Sequence, residues 1–219
     1  MSFSEARRFC QLPTLATVRL IEVFQVGLDR SDGIVARYAD TLDPVERERA
    51  ARLRDPGPWT VARGALRELL GARLGVAPAD VRLASGPHGK PEIAGSPLRF
   101  NLSHTRSLAV IAVADGFEVG VDVERLDRRS SAVARTLTAA ESAALAAAGD
   151  ERHVELLRVW CRKEALAKAI GGGLGWEPLR FDTTAPGGFT LIDVAVPPGH
   201  VAALASAGDG PVEISVSSL

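Results

Sequence analysis

Apolar and polar residues alternate along several short segments of the chain. Four of these segments are rich in β-favouring residues and are bounded by turn-forming residues, at 17–26, 98–102, 108–114 and 118–124. This pattern is typical of strands. The Asp115-Gly116 pair predicts a hairpin turn between the last two segments. Residues 181–216 favour strands again.

Other segments carry the signals that begin and end helices. Asp43, Pro44 and Glu46 supply an N-cap, a first-turn proline and a capping-box partner, which together predict a helix. A second helix is predicted over residues 59–74, after a break rich in proline. Residues 86–97 are dense in glycine and proline, which predicts a loop.

Two further helices are predicted in the second half of the chain. Thr138 and Glu141 form another capping box ahead of an alanine-rich helix, and a longer helix is predicted over residues 150–170. Glycines at 171–173 suit the left-handed position that ends a helix. Because helices and strands do not alternate regularly, the pattern predicts an α+β fold.

Composition narrows the classes of function. A chain of 219 residues, 46% of them hydrophobic, can bury a substantial core, and its formal net charge of -1 argues against non-specific nucleic-acid binding. Cys10 and Cys161 are far apart and the four histidines are scattered, so they form no metal-ligand framework. Residues 1–20 offer neither a signal-peptide core nor a membrane span. We therefore expect a soluble, cytoplasmic protein.

Lysine is rare in this chain. The only lysines among its 26 basic residues are Lys90, Lys163 and Lys168. A base-composition bias that replaced lysine with arginine explains this scarcity. The alternative is that the remaining lysines are kept where a compact ammonium is required. The three lysines are therefore candidate site residues.

Two acidic residues share one face of the last strand before residue 125. The period of two places Val119, Val121 and Val123 on one face and Asp122 and Glu124 on the other. Neighbouring carboxylates repel one another unless a cation lies between them, and oxygen ligands without histidine or thiol suit Mg²⁺. The alternative is a solvated strand face.

A second candidate cluster lies on the long helix. Trp160, Glu164 and Lys168 fall on one stripe at spacings of four, and Lys163 flanks it. An exposed Glu164–Lys168 pair, worth only ~0.3–0.5 kcal/mol, is the alternative. The tryptophan on the same stripe favours a partly buried face.

The polar residues at 100–105 and the turn at 87–92 complete the set of motifs. Taken alone, His104 is more simply explained as a structural histidine, and the turn around Lys90 as an ordinary connection. Their value lies in combination with the acidic strand and the long helix.

In order along the chain, these motifs resemble the Sfp-type 4′-phosphopantetheinyl transferases. The motifs are Gly89-Lys90-Pro91, Asn101-Leu102-Ser103-His104, Gly120-Val121-Asp122-Val123-Glu124, and Trp160 with Lys163-Glu164-Ala165 and Lys168. The resemblance spans nearly the whole chain. The form with Trp and Lys-Glu-Ala is similar to the branch that serves polyketide and non-ribosomal peptide carriers.

The resemblance implies a fold, a reaction and its partners. Two similar α+β halves, residues 1–118 and 119–219, are expected to pack about a pseudo-two-fold axis, with coenzyme A in the cleft between them. The implied enzyme is a monomer that moves the phosphopantetheine arm of coenzyme A to a serine of an apo acyl or peptidyl carrier protein. Its implied cofactor is Mg²⁺, and neither nucleic acid nor membrane is an expected partner.

The resemblance also implies catalytic and metal-binding roles. Asp122, Glu124 and Glu164 match the magnesium-binding carboxylates, and Glu164 also matches the residue that deprotonates the carrier serine, directly or through a water. Lys168 matches the lysine that neutralises charge on the departing 3′,5′-ADP. His104 matches a histidine that contacts a coenzyme A phosphate.

The remaining coenzyme A contacts follow from the same resemblance. Arg63 matches an arginine that grips the 3′-phosphate, and Arg49 falls where a lysine often does the same. The other expected contacts are Lys90, Pro91, Ser103 and Lys163. The sequence departs from the family at Glu46, which stands where another lysine is expected, and Arg47 or Arg52 is a candidate replacement.

Two rival functions are considered. A carrier-binding module without turnover would keep the fold, but an intact set of Asp122, Glu124, Glu164 and Lys168 argues against it. Another magnesium-dependent phosphoryl-transfer enzyme is the second rival. The chain contains no Gly-Lys-Ser or Gly-Lys-Thr loop, which argues against the commonest version of that rival.

Overall fold

The structure is a computed structural model that describes residues 18–86, 89–129, 131–171 and 181–219. Its mixture of helices and strands confirms the predicted α+β class. The strands are β1 (Arg19–Gly27), β2 (Ala84–Ser85), β3 (Pro91–Glu92), β4 (Leu98–His104), β5 (Leu108–Asp115), β6 (Val119–Arg125), β7 (Phe189–Val194), β8 (His200–Ala207) and β9 (Val212–Ser218). The helices are α1 (Asp32–Thr41), α2 (Pro44–Ala51), α3 (Gly57–Leu74), α4 (Ser131–Ala134), α5 (Ala139–Ala147) and α6 (Arg152–Ile170).

Two sheets form the centre of the fold. The larger sheet has the order β4-β5-β1-β9, in which β1 pairs antiparallel with β5 and parallel with β9. The smaller sheet has the order β6-β8-β7 and is antiparallel. The last strand thus returns to the sheet that contains the first. The pseudo-two-fold axis and the division at residue 118 stay predictions.

The apolar residues of these strands pack in three clusters, which lie between four layers. On β5, Ile111 and Val113 pack in a cluster with residues of α3, whereas Val110 and Ala112 belong to the cluster between the two sheets. The three valines of β6 lie in that same inter-sheet cluster, as their alternation predicted. The other face of the smaller sheet packs against α6. The order is therefore α3, larger sheet, smaller sheet, α6.

The predicted hairpin at Asp115-Gly116 is wrong. Strand β5 pairs with β1 and β4, whereas β6 pairs with β8 in the other sheet. Gly116 does adopt a left-handed turn conformation, with φ of 81°, and its N–H donates to the Pro97 carbonyl at 3.0 Å. The turn signal was local, so it located a change of direction without specifying which strand would pair next.

The predicted helix starts are present. The Asp43 carboxylate accepts the Glu46 N–H at 2.8 Å while the Glu46 carboxylate accepts the Asp43 N–H at 3.1 Å. The Thr138–Glu141 capping box at the start of α5 is also complete. Helix α6 ends at Ile170 and is capped by Gly171, with φ of 82°. Residues 172–173, which the prediction included, lie outside the described residues.

Helix α1 was not predicted, and it packs closely on α3. A Cβ added at Gly64 would lie 2.5 Å from the Tyr38 ring, so the glycine allows this approach. The predicted loop at 86–97 also contains the short strand β3, which pairs with β2. In the part of the chain that the structure describes, no helix is both long and apolar enough to cross a membrane.

Candidate active site

Close packing of β6 on α6 brings the acidic strand to the long helix. A Cβ added at Gly120 would lie 2.1 Å from the Ala165 carbonyl oxygen and 2.4 Å from the Ala169 nitrogen. Any side chain at position 120 would therefore push the strand and the helix apart. Because β6 lies directly on the helix backbone, Asp122 comes next to the polar stripe of α6.

Asp122 is held by a buried hydrogen-bond network. Its Oδ1 atom accepts from the Lys168 ammonium at 2.6 Å and from the Ser103 hydroxyl at 2.9 Å. Lys168 also donates to Ser103 Oγ at 3.0 Å and to the Val121 carbonyl at 3.1 Å. Asn101 fixes the neighbouring backbone by accepting the Val121 N–H at 2.9 Å. Ser103 therefore lies in the site and orients Asp122 and Lys168.

The buried carboxylate oxygens of this site differ in whether a described residue donates a hydrogen bond to them. Among the described residues, Asp122 Oδ2 and Glu164 Oε1 are buried and accept no hydrogen bond. Burial and the nearby Asp122 carboxylate raise the pKa of Glu164, against the opposing effect of Lys168 and Arg128. Buried, unpaired carboxylate oxygens are costly unless a cation or donor reaches them. This geometry suits a bound cation.

Glu124 has a protein cation beside it. Its Oε1 forms an ion pair with Arg128 and accepts the Trp160 indole N–H at 3.2 Å. The Arg128 guanidinium also lies over the Trp160 ring, 5.3 Å from its centroid. The sequence reasoning missed Arg128, and the only signal for it was its position four residues after Glu124.

These side chains line one pocket of about 490 Å³. Its residues share the β6–α6 junction and are Asp122, Glu124, Arg128, Trp160, Glu164, Ala167 and Lys168. The structure thus brings together the three predicted carboxylates and Lys168. Over the described ranges, no group of three or more His, Cys, Asp or Glu residues is arranged to hold a metal as it stands. Instead, Asp122 forms an ion pair with Lys168, and Glu124 forms an ion pair with Arg128.

A second pocket, of about 540 Å³, gathers the predicted nucleotide contacts. Its lining includes Arg49, Arg63, Pro91 and His104. His104 also lines a third pocket with Ser103, Asp122, Glu124 and Arg128. We call the second pocket, which contains Arg49 and Arg63, the arginine pocket, and the pocket at the β6–α6 junction the carboxylate pocket. His104 therefore stands between the two pockets, and a ligand that passes it could reach both.

The departure at Glu46 has a structural explanation. Glu46 is 6% exposed and forms ion pairs with Arg63 and with Arg67, whose side chain is completely buried. It therefore joins α2 to α3, and it lines the same pocket as Arg63. Arg49 lies in the same pocket as Arg63, with its guanidinium 5.6 Å from the centroid of the Trp59 ring.

The two candidate replacements for the lysine expected at Glu46 are not found in this site. Neither Arg47 nor Arg52 lines the arginine pocket or the carboxylate pocket. Arg52 pairs instead with Glu48 on the exposed side of α2. Trp59, which the sequence reasoning did not select, lies in the arginine pocket.

The predicted coenzyme A contact at Lys163 needs correction. Its side chain has no exposed surface, and its ammonium pairs with Glu141 at 2.9 Å and donates to the Phe181 carbonyl at 2.6 Å. Glu141 also accepts from the N–H and hydroxyl of Thr183 at 2.9 and 2.8 Å. Lys163 thus lies in the protein interior, because its position on α6 faces α5 rather than the pocket.

The structure places the Lys90 side chain outside the arginine pocket. Gly89 and Pro91, on either side of it, line the arginine pocket. The Lys90 ammonium instead pairs with Glu118 at 2.6 Å and lines a different pocket. Sequence proximity to the loop did not reveal this distant carboxylate.

Comparison with known proteins defines the class to which this fold and site belong. A family model described as the 4′-phosphopantetheinyl transferase superfamily matches residues 118–209, which contain β6 and α6.

Curated relatives extend the similarity over most of the chain. The chain is 33% identical to 4′-phosphopantetheinyl transferase HetI of a Nostoc species, over 87% of this chain and 89% of that protein. It is 35% identical to 4′-phosphopantetheinyl transferase AcpT of Salmonella typhi, over 48% and 57% respectively. It is 29% identical to the mouse L-aminoadipate-semialdehyde dehydrogenase-phosphopantetheinyl transferase, over 81% and 63%. The chain belongs to the 4′-phosphopantetheinyl transferase superfamily.

Proposed function

We propose that the protein moves the 4′-phosphopantetheine arm of coenzyme A to a serine hydroxyl of an apo carrier protein and releases 3′,5′-ADP. The carboxylate pocket carries this proposal, because it holds the unpartnered oxygens of Asp122 and Glu164 next to the Lys168 ammonium. The transferase names of relatives that cover most of the chain support the same reaction.

Coenzyme A is proposed to bind along the line of pockets that meet at His104. Arg49 and Arg63 offer guanidinium groups for the 3′-phosphate at one end, where Arg is well suited to phosphate. Lys168 offers an ammonium for the pyrophosphate at the other end. This path would run in a cleft between the proposed halves 1–118 and 119–219.

Mg²⁺ is the proposed cofactor of the carboxylate pocket. The orphaned oxygens of Asp122 and Glu164 fit a hard cation, and Glu124 is the third carboxylate available to hold it. When bound, such an ion neutralises charge that develops on the pyrophosphate oxygens during transfer.

The proposed chemistry is a displacement at phosphorus. The serine oxygen forms a bond to the β-phosphorus of coenzyme A, and the bond from that phosphorus to the bridging oxygen breaks, so that 3′,5′-ADP leaves. Glu164 accepts the serine proton, directly or through a water. Lys168 neutralises charge on the departing 3′,5′-ADP.

The carrier class is proposed from the α6 motif. Trp160 followed by Lys163-Glu164-Ala165 resembles the branch that serves carriers of polyketide and non-ribosomal peptide synthesis. We propose that the protein acts on such carriers as a cytoplasmic monomer.

Intact mass spectrometry of an apo carrier protein tests the proposed function. With coenzyme A and Mg²⁺, we expect the carrier to gain the mass of one phosphopantetheine. The same carrier with its acceptor serine changed to alanine is the matched control and should gain none. Acyl and peptidyl carriers tested in parallel establish the partner class. No gain on any carrier would contradict the proposal.

A further inference from the structure

The Lys90 ammonium has a complete set of acceptors within the protein. Its Nζ donates to Glu118 Oε2 at 2.6 Å, to the Val119 carbonyl at 3.0 Å and to the Ala169 carbonyl at 3.0 Å. A lysine ammonium has three N–H donors. With all of them engaged, the Lys90 ammonium is held outside the arginine and carboxylate pockets, whereas Lys168, which also has three acceptors, lines the carboxylate pocket.

Two of the three acceptors of Lys90 belong to the elements that build the carboxylate pocket. Val119 is the first residue of β6, the strand that carries Asp122. Ala169 follows Lys168 in the last turn of α6. Carbonyl groups in the last turn of a helix favour a nearby cation. Lys90 thus links the start of β6 to the end of α6.

The backbone around Lys90 belongs to the arginine pocket. Gly89 and Pro91 line that pocket together with Arg49 and Arg63. The Lys90 carbonyl accepts the Gly86 N–H at 2.8 Å, which closes the loop on itself. Lys90 thus connects a wall of one pocket to the strand and helix that form the other.

We propose that Lys90 is a positioning residue that sets the distance and angle between the arginine pocket and the carboxylate pocket without touching coenzyme A. The proposal rests on the proposed function, in which coenzyme A occupies both pockets at once. A ligand held at two points is sensitive to small displacements of one point relative to the other. A ligand that needs mainly one of the pockets is much less so.

The Lys90→Met variant tests this role. Methionine keeps an unbranched side chain but removes all three hydrogen bonds. By isothermal titration calorimetry, we expect the Kd of coenzyme A to rise by about 10–100-fold. The Kd of adenosine 3′-monophosphate should change little, because it keeps the 3′-phosphate for the arginine pocket but has no 5′-phosphate to reach Lys168. Amide hydrogen exchange of the free protein should speed up at residues 84–86 and 89–92 and at the end of α6.

Arg99→Gln is the matched control. Arg99 donates to the other oxygen of the same carboxylate, Glu118 Oε1, at 2.7 Å, and its remaining bonds go to the Ser96 and Leu98 carbonyls. The Arg99→Gln variant therefore loses a hydrogen bond to Glu118 but keeps the hydrogen bond from Lys90 to the Ala169 carbonyl of α6. We expect this variant to bind coenzyme A nearly as well as the wild type.

Three outcomes would overturn the role of Lys90. Equal weakening of coenzyme A and adenosine 3′-monophosphate would indicate a direct nucleotide contact or general damage, and an unchanged coenzyme A affinity would exclude positioning. An Arg99→Gln defect as large as that of Lys90→Met would assign the effect to Glu118 alone. If Lys90→Met does not fold, Lys90→Arg provides the same comparison, because a planar guanidinium cannot direct three donors to the same acceptors.

Failure of the proposed function has a different signature. Wild-type protein that binds coenzyme A but transfers nothing would contradict the proposed function and leave the two-pocket measurement valid. Wild-type protein that binds no coenzyme A would contradict both proposals.

Discussion

Adjacent residues of α6 lie in opposite electrostatic surroundings. Lys163 pairs with Glu141 in the interior, where both side chains are fully buried and Glu141 is also hydrogen-bonded to Thr138 and Thr183. Glu164 faces the carboxylate pocket with one buried oxygen that has no hydrogen-bond partner among the described residues. The charged groups on one side of the helix therefore have their hydrogen-bond partners, and a carboxylate oxygen on the other side has none among the described residues.

The pKa shifts of the two glutamates express the same difference. Burial opposes ionisation of Glu141, but Lys163 and the hydrogen bonds from Thr138 and Thr183 outweigh it and lower its pKa. Burial and Asp122 raise the pKa of Glu164. A buried pair whose hydrogen bonds are complete maintains structure, whereas a buried carboxylate without a partner is ready to bind a cation or a proton.

Removing the unpaired carboxylate should have the largest effect on activity. We expect Glu164→Gln to lose ~10²–10⁴-fold in turnover, because the proton acceptor is gone. Its thermal stability should not fall, since a buried charge is replaced by a neutral group of the same shape. Carrier modification rates and thermal melts check the two parts. Near-normal turnover would show that this carboxylate is not the base.

Changing Asp122 sharpens the contrast within the pocket. Asp122→Asn should also lose most of the turnover, but it should lower stability as well, because the Lys168 ammonium loses its charged partner at 2.6 Å. The same two assays measure both effects. An Asp122→Asn variant that is active and as stable as the wild type would contradict the assigned network.

On the Lys163 side of the helix, the main effect should be on stability. Lys163→Met leaves the Glu141 carboxylate buried without its ammonium, and breaking such a pair costs about 3–5 kcal/mol in free energy of unfolding. Replacing both residues by Met should recover much of this loss. Chemical denaturation of the single and double variants measures it. Additive losses in the double variant would argue against a direct ion pair.

The smallest expected effect is on the pH dependence of stability. The pKa of Glu141 is lowered by folding, so its contribution to stability is present above about pH 4 and is lost as the pH falls through the folded pKa. The pKa of Glu164 is raised, so its contribution is present below about pH 4 and is lost as the pH rises through the folded pKa. The slope of the melting temperature against pH should therefore change in opposite directions in the Glu141→Gln and Glu164→Gln variants. Equal changes would contradict the comparison.

Local patterns predicted the parts of the site that depend on one element. The period of two placed Asp122 and Glu124 away from the valines of β6, and the spacing of four placed Trp160, Glu164 and Lys168 on one side of α6. Both depend only on backbone geometry and on the need to bury apolar side chains. Their convergence in one pocket came from the family resemblance.

The parts that the sequence did not reveal depend on distant partners. Lys163 meets Glu141 and Lys90 meets Glu118, pairs that are far apart along the chain, so no local pattern distinguished these lysines from Lys168. The prediction that β5 pairs with β6 was wrong for the same reason. Both faces of β5 are buried, so its apolar run carried no information about its neighbours.

The most direct test of the carboxylate pocket is the metal dependence of carrier modification. Wild-type protein stripped of divalent ions by a chelator is mixed with coenzyme A and apo carrier, and the carrier mass is followed before and after Mg²⁺ is added. We expect no mass gain before addition and the gain of one phosphopantetheine after it. Transfer at the full rate in the chelated sample would contradict the assignment of Asp122, Glu124 and Glu164 as ligands of a catalytic ion.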